Sequence, residues 1–236
     1  MSTLTKDAEA VAAHLESMKA GERIAWLHET YGNRVVASSS FGLQAAVMLH
    51  LISENAPEIP VVFVDTGYLF PETYHYIEKL SSFLKVNLRH YVPKMTAAHQ
   101  ESLHGKLWDS DPKEYARINK VEPMNRALKE IGGDIWLSGL RRSQSSTRSE
   151  RGFAEQQGKT MKVYPILDWA DAQVASYFQT YALPQHPLSE KGYVTMGDWH
   201  STRKPETGES AESTRFNGEK YECGLHEESG HLDFQI

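Results

Sequence analysis

The chain of 236 residues carries 25 Lys and Arg against 31 Asp and Glu, a net charge of −6, with 40% hydrophobic and 10% aromatic residues. These are globular proportions; they exclude a disordered chain and favour one large α/β domain over two small ones. The negative balance argues against a nucleic-acid binder, no apolar run is long enough to cross a membrane, and one cysteine with a polar N-terminus points to the cytoplasm.

Val11, Leu15 and Met18 fall at helical spacing, and Gly21 breaks the pattern. Ile24, Trp26 and Leu27 mark a second helix over 22–31, so N-terminal helices are expected within 5–31. Arg34-Val35-Val36-Ala37-Ser38 reads as a buried strand, followed by a Ser/Gly turn and a helix over 43–53. Pro60-Val61-Val62-Phe63-Val64-Asp65 is the clearest strand, because a parallel strand covered on both faces needs such an apolar run. Pro71 suits the first position of a helix over 71–84. A third strand is expected at 86–92, helices over 94–131 with a break at 105–112, a fourth strand at 134–138 and a fifth at 162–166. The last long helix is expected at 169–181. This alternation predicts an open, mostly parallel, Rossmann-like sheet with helices on both faces, forming one domain over 1–199. Residues 200–236, rich in Gly, Glu, Ser and Thr, read as a mobile C-terminal tail.

Ligands of such sheets bind beyond the carboxyl ends of the strands. Three constellations fall there. Ser38-Ser39-Ser40-Phe41-Gly42-Leu43-Gln44 joins the first strand to its helix and suits an anion at a helix N-terminus; it equally suits a plain cap. It is neither a Walker A loop nor a three-glycine dinucleotide motif. Asp65-Thr66-Gly67 ends the second strand, where a carboxylate can meet a ribose or adenine, or simply cap a turn. The strongest is Ser138-Gly139-Leu140-Arg141-Arg142-Ser143-Gln144-Ser145-Ser146-Thr147-Arg148. Its three arginines and clustered hydroxyl and amide groups exceed what a solvated loop needs, and arginine forks match phosphates.

Cys223 lies in Glu222-Cys223-Gly224-Leu225-His226, with Arg203, Lys204 and Arg215 before it. A lone cysteine makes no internal disulfide and is one ligand where a zinc or iron–sulfur site needs several. It is either an inert thiol or a nucleophile completed by an outside thiol. The 11 histidines show no metal-ligand spacing, so no metal is expected.

In order along the chain stand Ser38–Gly42, Val64-Asp65-Thr66-Gly67, Gly139-Leu140-Arg141-Arg142-x-Gln144-Ser145, Pro165-Ile166-x-x-Trp169, His186-Pro187-Leu188 and Glu222-Cys223-Gly224-Leu225-His226. Together they resemble the assimilatory phosphoadenylyl-sulfate (PAPS) reductase family, from about residue 30 to the tail. The resemblance implies an adenine nucleotide alpha hydrolase-like fold and thiol-dependent reduction of PAPS to sulfite. It makes Cys223 the nucleophile and thioredoxin or glutaredoxin the external reductant. The serine turn, with Ser38, Ser39, Ser40, Phe41, Gly42 and Gln44, would face the sulfate and 5′-phosphate. Asp65, Thr66 and Gly67 would lie near the nucleoside. Arg141, Arg142, Gln144 and Arg148 would line the phosphate loop, and Arg203, Arg215 and His226 would arrive with the tail. A homodimer is also implied.

A related branch reduces adenylyl sulfate with a four-cysteine iron–sulfur cluster. Its ligand positions correspond here to Tyr115, Ala116, Asp198 and Ser201, so no cluster is expected and the 3′-phosphorylated substrate is favoured. The alternatives are a cluster-free adenylyl sulfate reductase, a non-catalytic nucleotide-binding or redox-sensing module, and an ATP pyrophosphatase. The last needs a Ser-Gly-Gly-x-Asp-Ser loop, where this chain has Ser40-Phe41-Gly42-Leu43-Gln44-Ala45.

Overall fold

The computed structural model describes residues 7–145 and 148–215. Helix α1 (Ala8–Glu16) starts where the Asp7 carboxylate accepts from the N–H groups of Glu9 and Ala10. Helix α2 (Ala20–Tyr31) follows, and Gly21 lies inside it; the break comes a few residues earlier, at 17–19. The buried guanidinium of Arg23 donates to Leu15 O and Pro165 O, at 2.8 Å each, and pairs with Asp168. It thereby ties the helical pair to the far end of the sheet.

The remaining strands and helices are β1 (Val35–Ser38), α3 (Ala45–Asn55), β2 (Val61–Val64), α4 (Pro71–Leu84), β3 (Leu88–Tyr91), α5 (Ala97–His104), α6 (Leu107–Ser110), α7 (Pro112–Ala116), α8 (Glu122–Ile131), β4 (Ile135–Leu137), β5 (Ala154–Gln157), β6 (Thr160–Val163), α9 (Asp171–Thr180) and α10 (Pro187–Glu190). The strand order is β3-β2-β1-β4-β6-β5. All neighbours are parallel except β5, which runs antiparallel to β6 at the edge. The open, mostly parallel α/β sheet is therefore present, with one edge strand that sequence patterning did not anticipate. Alternation along the strands builds a core on each face. Val35, Ala37, Val61, Phe63, Ile135 and Leu137 pack on one side; Val36, Val62 and Trp136 meet Met124, Ala127 and Leu128 of α8 on the other. No described helix is long and apolar enough to cross a membrane.

Between α7 and α8 the helix widens into a π turn, Arg117–Val121, where the Glu122 N–H donates to Arg117 O. Pro123 follows and has no N–H to continue the ordinary ladder. Asn119 and Lys120 of this turn are buried.

Residues 200–215, expected to belong to a mobile C-terminal tail, include buried Ser201, Thr202, Thr214 and Arg215. Thr202 pairs with Arg215 in an antiparallel bridge. The packed part of the chain thus extends past the expected boundary at 199 as far as Arg215, and residues 216–236 lie outside the described residues.

His186, wholly buried before α10, accepts the Leu188 N–H at Nδ1 and bonds Thr73 Oγ1 through Nε2, 3.1 Å each. Burial pushes its imidazole down to about 4 from the usual 6.5, with Glu72 opposing weakly. Because the folded value is the depressed one, this stability is complete above about pH 6.5 and declines as pH falls toward 4, where the unfolded chain takes up a proton that the native state refuses. Each such histidine should cost on the order of 2 kcal/mol between pH 7 and pH 5. Thermal melts of His186→Gln across this range should show a shallower acid decline than the unsubstituted chain.

Candidate functional site

The carboxyl ends of β1 and β4 lie side by side at the centre of the sheet, where the strand order reverses. Loops leaving such a point diverge and leave a crevice between them. The loop after β1 is pinned from below. Phe41 is fully buried, edge-on to Phe63 with ring centroids 5.5 Å apart, and adopts a left-handed backbone with φ 49°. A bulky residue holds that conformation only where packing enforces it. The burial of Phe41 leaves Ser40 exposed at the rim, and Ser39 Oγ accepts the Phe41 N–H at 3.1 Å. Ser38 Oγ accepts from the Trp136 indole N–H at 2.7 Å.

Helix α3 starts at this loop, and its N-cap residue Gln44 makes no side-chain cap. The Gln44 amide oxygen instead accepts from Arg141 across the crevice. The positive end of an 11-residue helix therefore opens onto the serine turn.

Arg141 is almost fully buried. Its terminal nitrogens donate to Gln44, Asp171 (2.8 Å), Ser143 Oγ (2.8 Å) and Trp169 O (3.0 Å). Arg142 donates twice to Arg151 O, at 3.0 and 2.8 Å, and stacks over Phe153. Both were expected to hold phosphates; both direct these donors into the protein, and they shape the loop. Gln144 sits at its hub, its Oε1 accepting from the Arg141 N–H at 3.1 Å and from Arg148 at 2.5 Å. Arg148 is buried on the inner side of the same loop, and residues 146 and 147 lie outside the described residues.

On the other flank, the turn after β2 is tightly organised. Asp65 Oδ1 accepts the Gly67 N–H at 2.8 Å and the Tyr74 hydroxyl at 2.7 Å, and His90 Nε2 lies 3.6 Å from Oδ2. Burial, and then the bond to Asp65, pushes the Tyr74 hydroxyl well up from its ordinary value. Gly67 takes φ 78°, a conformation suited to glycine. Thr66 is buried and points inward.

A strap missing from the sequence reading crosses both turns. Met196 lies beside Gly42, where a Cβ would meet its own Cβ at 3.8 Å. Two residues on, Asp198 bridges to Leu69, accepts from Thr66 at 2.5 Å and pairs with Lys120 at 2.6 Å. Burial alone would raise the Asp198 carboxyl, but Lys120 and the Thr66 hydroxyl outweigh it and hold the group below its usual value. Burial pushes the neighbouring His200 imidazole down to about 4. Of the four positions that correspond by likeness to the cysteine ligands of the cluster-bearing branch, Tyr115 and Ser201 adjoin Asp198 here, with the Tyr115 hydroxyl raised by burial and by the Asp198 charge. Arg215, nearly buried, lies on Gly197 and donates to Thr202 Oγ1 at 2.7 Å. Arg203 pairs bidentately with Glu209, at 2.5 and 2.7 Å, which holds that carboxyl down to about 2. Cys223 and His226 lie outside the described residues.

A family model described as "Phosphoadenosine phosphosulfate reductase domain" matches residues 34–204. A phosphoadenosine 5′-phosphosulfate reductase of Photobacterium profundum is 47% identical over 226 residues, covering 94% of this chain and 89% of the relative. Its namesake in Xanthomonas campestris pv. campestris is also 47% identical, covering 94% and 93%. Among solved structures, the phosphoadenylyl-sulfate (PAPS) reductase of Candida auris in its phosphate complex superposes with a TM-score of 0.75 at 31% identity, covering 86% of this chain and 99% of that one. The FMN adenylyltransferase of Candida glabrata shares the fold alone, with a TM-score of 0.58 at 13% identity and coverage of 98% and 83%.

Proposed function

This chain belongs to the phosphoadenosine phosphosulfate reductase family, and from that membership we propose how its own residues carry out the reduction of PAPS. The chain is an oxidoreductase of sulfate assimilation. Cys223, as its thiolate, attacks the sulfate sulfur. A sulfur–sulfur bond forms, the sulfur–oxygen bond to the 5′-phosphate breaks, and adenosine 3′,5′-bisphosphate leaves with that electron pair. A thiolate of reduced thioredoxin or glutaredoxin then attacks Cys223 Sγ. Sulfite departs with the electron pair, and the reductant's second thiol resolves the mixed disulfide to regenerate Cys223. Two thiols are oxidised and one sulfate sulfur is reduced. No iron–sulfur cluster takes part, since Tyr115, Ala116, Asp198 and Ser201 supply no thiolate. The enzyme works in the cytoplasm as a homodimer.

The observation that carries this reading is the Gln44–Arg141 tie across the switch point. It gathers the serine turn, the uncapped start of α3 and the arginine loop at one mouth. Ser39, Ser40, Gly42 and the α3 N-terminus receive the sulfate and 5′-phosphate. The 65–67 turn borders the nucleoside, and Arg148 with Gln144 lines the phosphates. Arg215 joins from the strap, and His226 accompanies Cys223. Arg141, Arg142 and Arg203 hold the protein in shape around them.

The decisive assay measures sulfite released from PAPS and from adenylyl sulfate with reduced thioredoxin. Losing the contacts to a second phosphate should cost about 100-fold in kcat/KM, so PAPS should be preferred by that factor. Preference for adenylyl sulfate would make the chain a cluster-free reductase of that nucleotide instead.

A further inference from the structure

Among the described ion pairs, Lys120–Asp198 is the most deeply buried, with side chains 11% and 2% exposed at 2.6 Å. Placing both charges out of water is costly, and such pairs are weak devices for stability alone. What this one holds is specific. Asp198 presents one oxygen to Lys120 and the other to the Thr66 hydroxyl. Thr66 Oγ1 in turn accepts the Tyr68 N–H at 3.3 Å, inside the turn that follows β2. On the backbone, Asp198 bridges to Leu69 and the Trp199 N–H donates to Tyr68 O at 2.8 Å. The lysine comes from the π turn before Pro123, which brings Lys120 inward against the Tyr115 ring. One carboxylate thus joins three separated parts of the chain: the helix wall, the 65–69 turn and the strap leading to Arg215.

We propose that Asp198 and Lys120 are positioning residues for the nucleotide-binding turn, the pair orienting the Thr66 hydroxyl and thereby setting the turn and the strap relative to each other. Neither residue touches the reacting atoms. The idea rests on the reading above that this turn borders the nucleoside.

The test uses the full chain with Thr66→Val, Thr66→Ser, Asp198→Asn and the double variant Lys120→Met with Asp198→Leu. Thr66→Val keeps both charges and removes only the hydroxyl, so it should fold even where Asp198→Asn does not. Amide hydrogen exchange without nucleotide should show Gly67 and Tyr68 exchanging at least about 10-fold faster in Thr66→Val and restored in Thr66→Ser. Calorimetry should show adenosine 3′,5′-bisphosphate bound about 10-fold more weakly by Thr66→Val, with KM for PAPS raised and kcat changed less. The apolar double variant should recover thermal stability but not affinity, a split that a purely structural role would not produce. Unchanged exchange at Gly67 and Tyr68 in Thr66→Val and the double variant overturns the proposal. Altered exchange in a protein that binds no adenosine 3′,5′-bisphosphate even when unsubstituted supports the positioning and sinks the nucleotide reading instead.

Discussion

Replacing Cys223 with serine is expected to lower sulfite release by at least about 10³-fold, leaving adenosine 3′,5′-bisphosphate affinity within about threefold. A serine hydroxyl stays protonated at neutral pH and forms no sulfur–sulfur bond, so the second displacement has no sulfur to attack. The chain holds no other cysteine, so no neighbouring thiol can substitute. Cys223 stands eight positions beyond Arg215, the last described residue, a span of at most about 28 Å fully extended. Arg215 lies against Gly197 of the strap, whose preceding residue Met196 faces Gly42 of the serine turn, so the tail starts beside that turn. Mixing the unsubstituted chain with PAPS alone should leave one sulfo group on Cys223, detectable by mass spectrometry and discharged by reduced thioredoxin. Turnover retained by Cys223→Ser would remove the covalent mechanism altogether.

Much of the scaffold was legible in the sequence, for physical reasons that differ from element to element. The run of apolar residues in β2 and the proline at the start of α4 each require one local structure almost regardless of context. Strand β5 escaped notice because an edge strand is wet on one side, and Glu155 and Gln156 gave it no apolar run. The arginine loop was conspicuous by composition, yet composition does not choose partners. Asp171 and the Trp169 carbonyl, some 30 residues away, claim Arg141 through tertiary contact. The tail misled in the same way. Thr202, Thr214 and Arg215 look solvated in a list of residues, but each is buried with a hydrogen-bond partner. Asp198 stood out only as a missing ligand; its bond to Thr66 spans 132 residues, and no local pattern encodes that.

The strap makes Gly197→Ala a damaging small substitution for catalysis. A Cβ there would lie 2.5 Å from Arg215 Nη2 and 2.6 Å from its Cζ, closer than atoms approach. A guanidinium at a surface would swing aside. This one is 5% exposed, bonded to Thr202 Oγ1 and carried on the backbone bridge to Thr202. The strap itself cannot yield easily, because Asp198 anchors the next residue to Thr66, Lys120 and Leu69. Arg215 must therefore leave its place, and if it meets a phosphate or sulfate as proposed above, a misplacement of about 1 Å costs on the order of 10²-fold in rate. Gly197→Ala should lower kcat/KM for PAPS by that factor, about 2.7 kcal/mol, while the sheet and its two cores keep the melting temperature within a few degrees. Arg215→Ala should lose a similar amount, and the double variant little more than either alone, because both changes remove one and the same positioned cation. Fully additive losses would mean that Gly197 acts through some other contact, and an active Gly197→Ala would show that the place of Arg215 on the strap does not matter to catalysis.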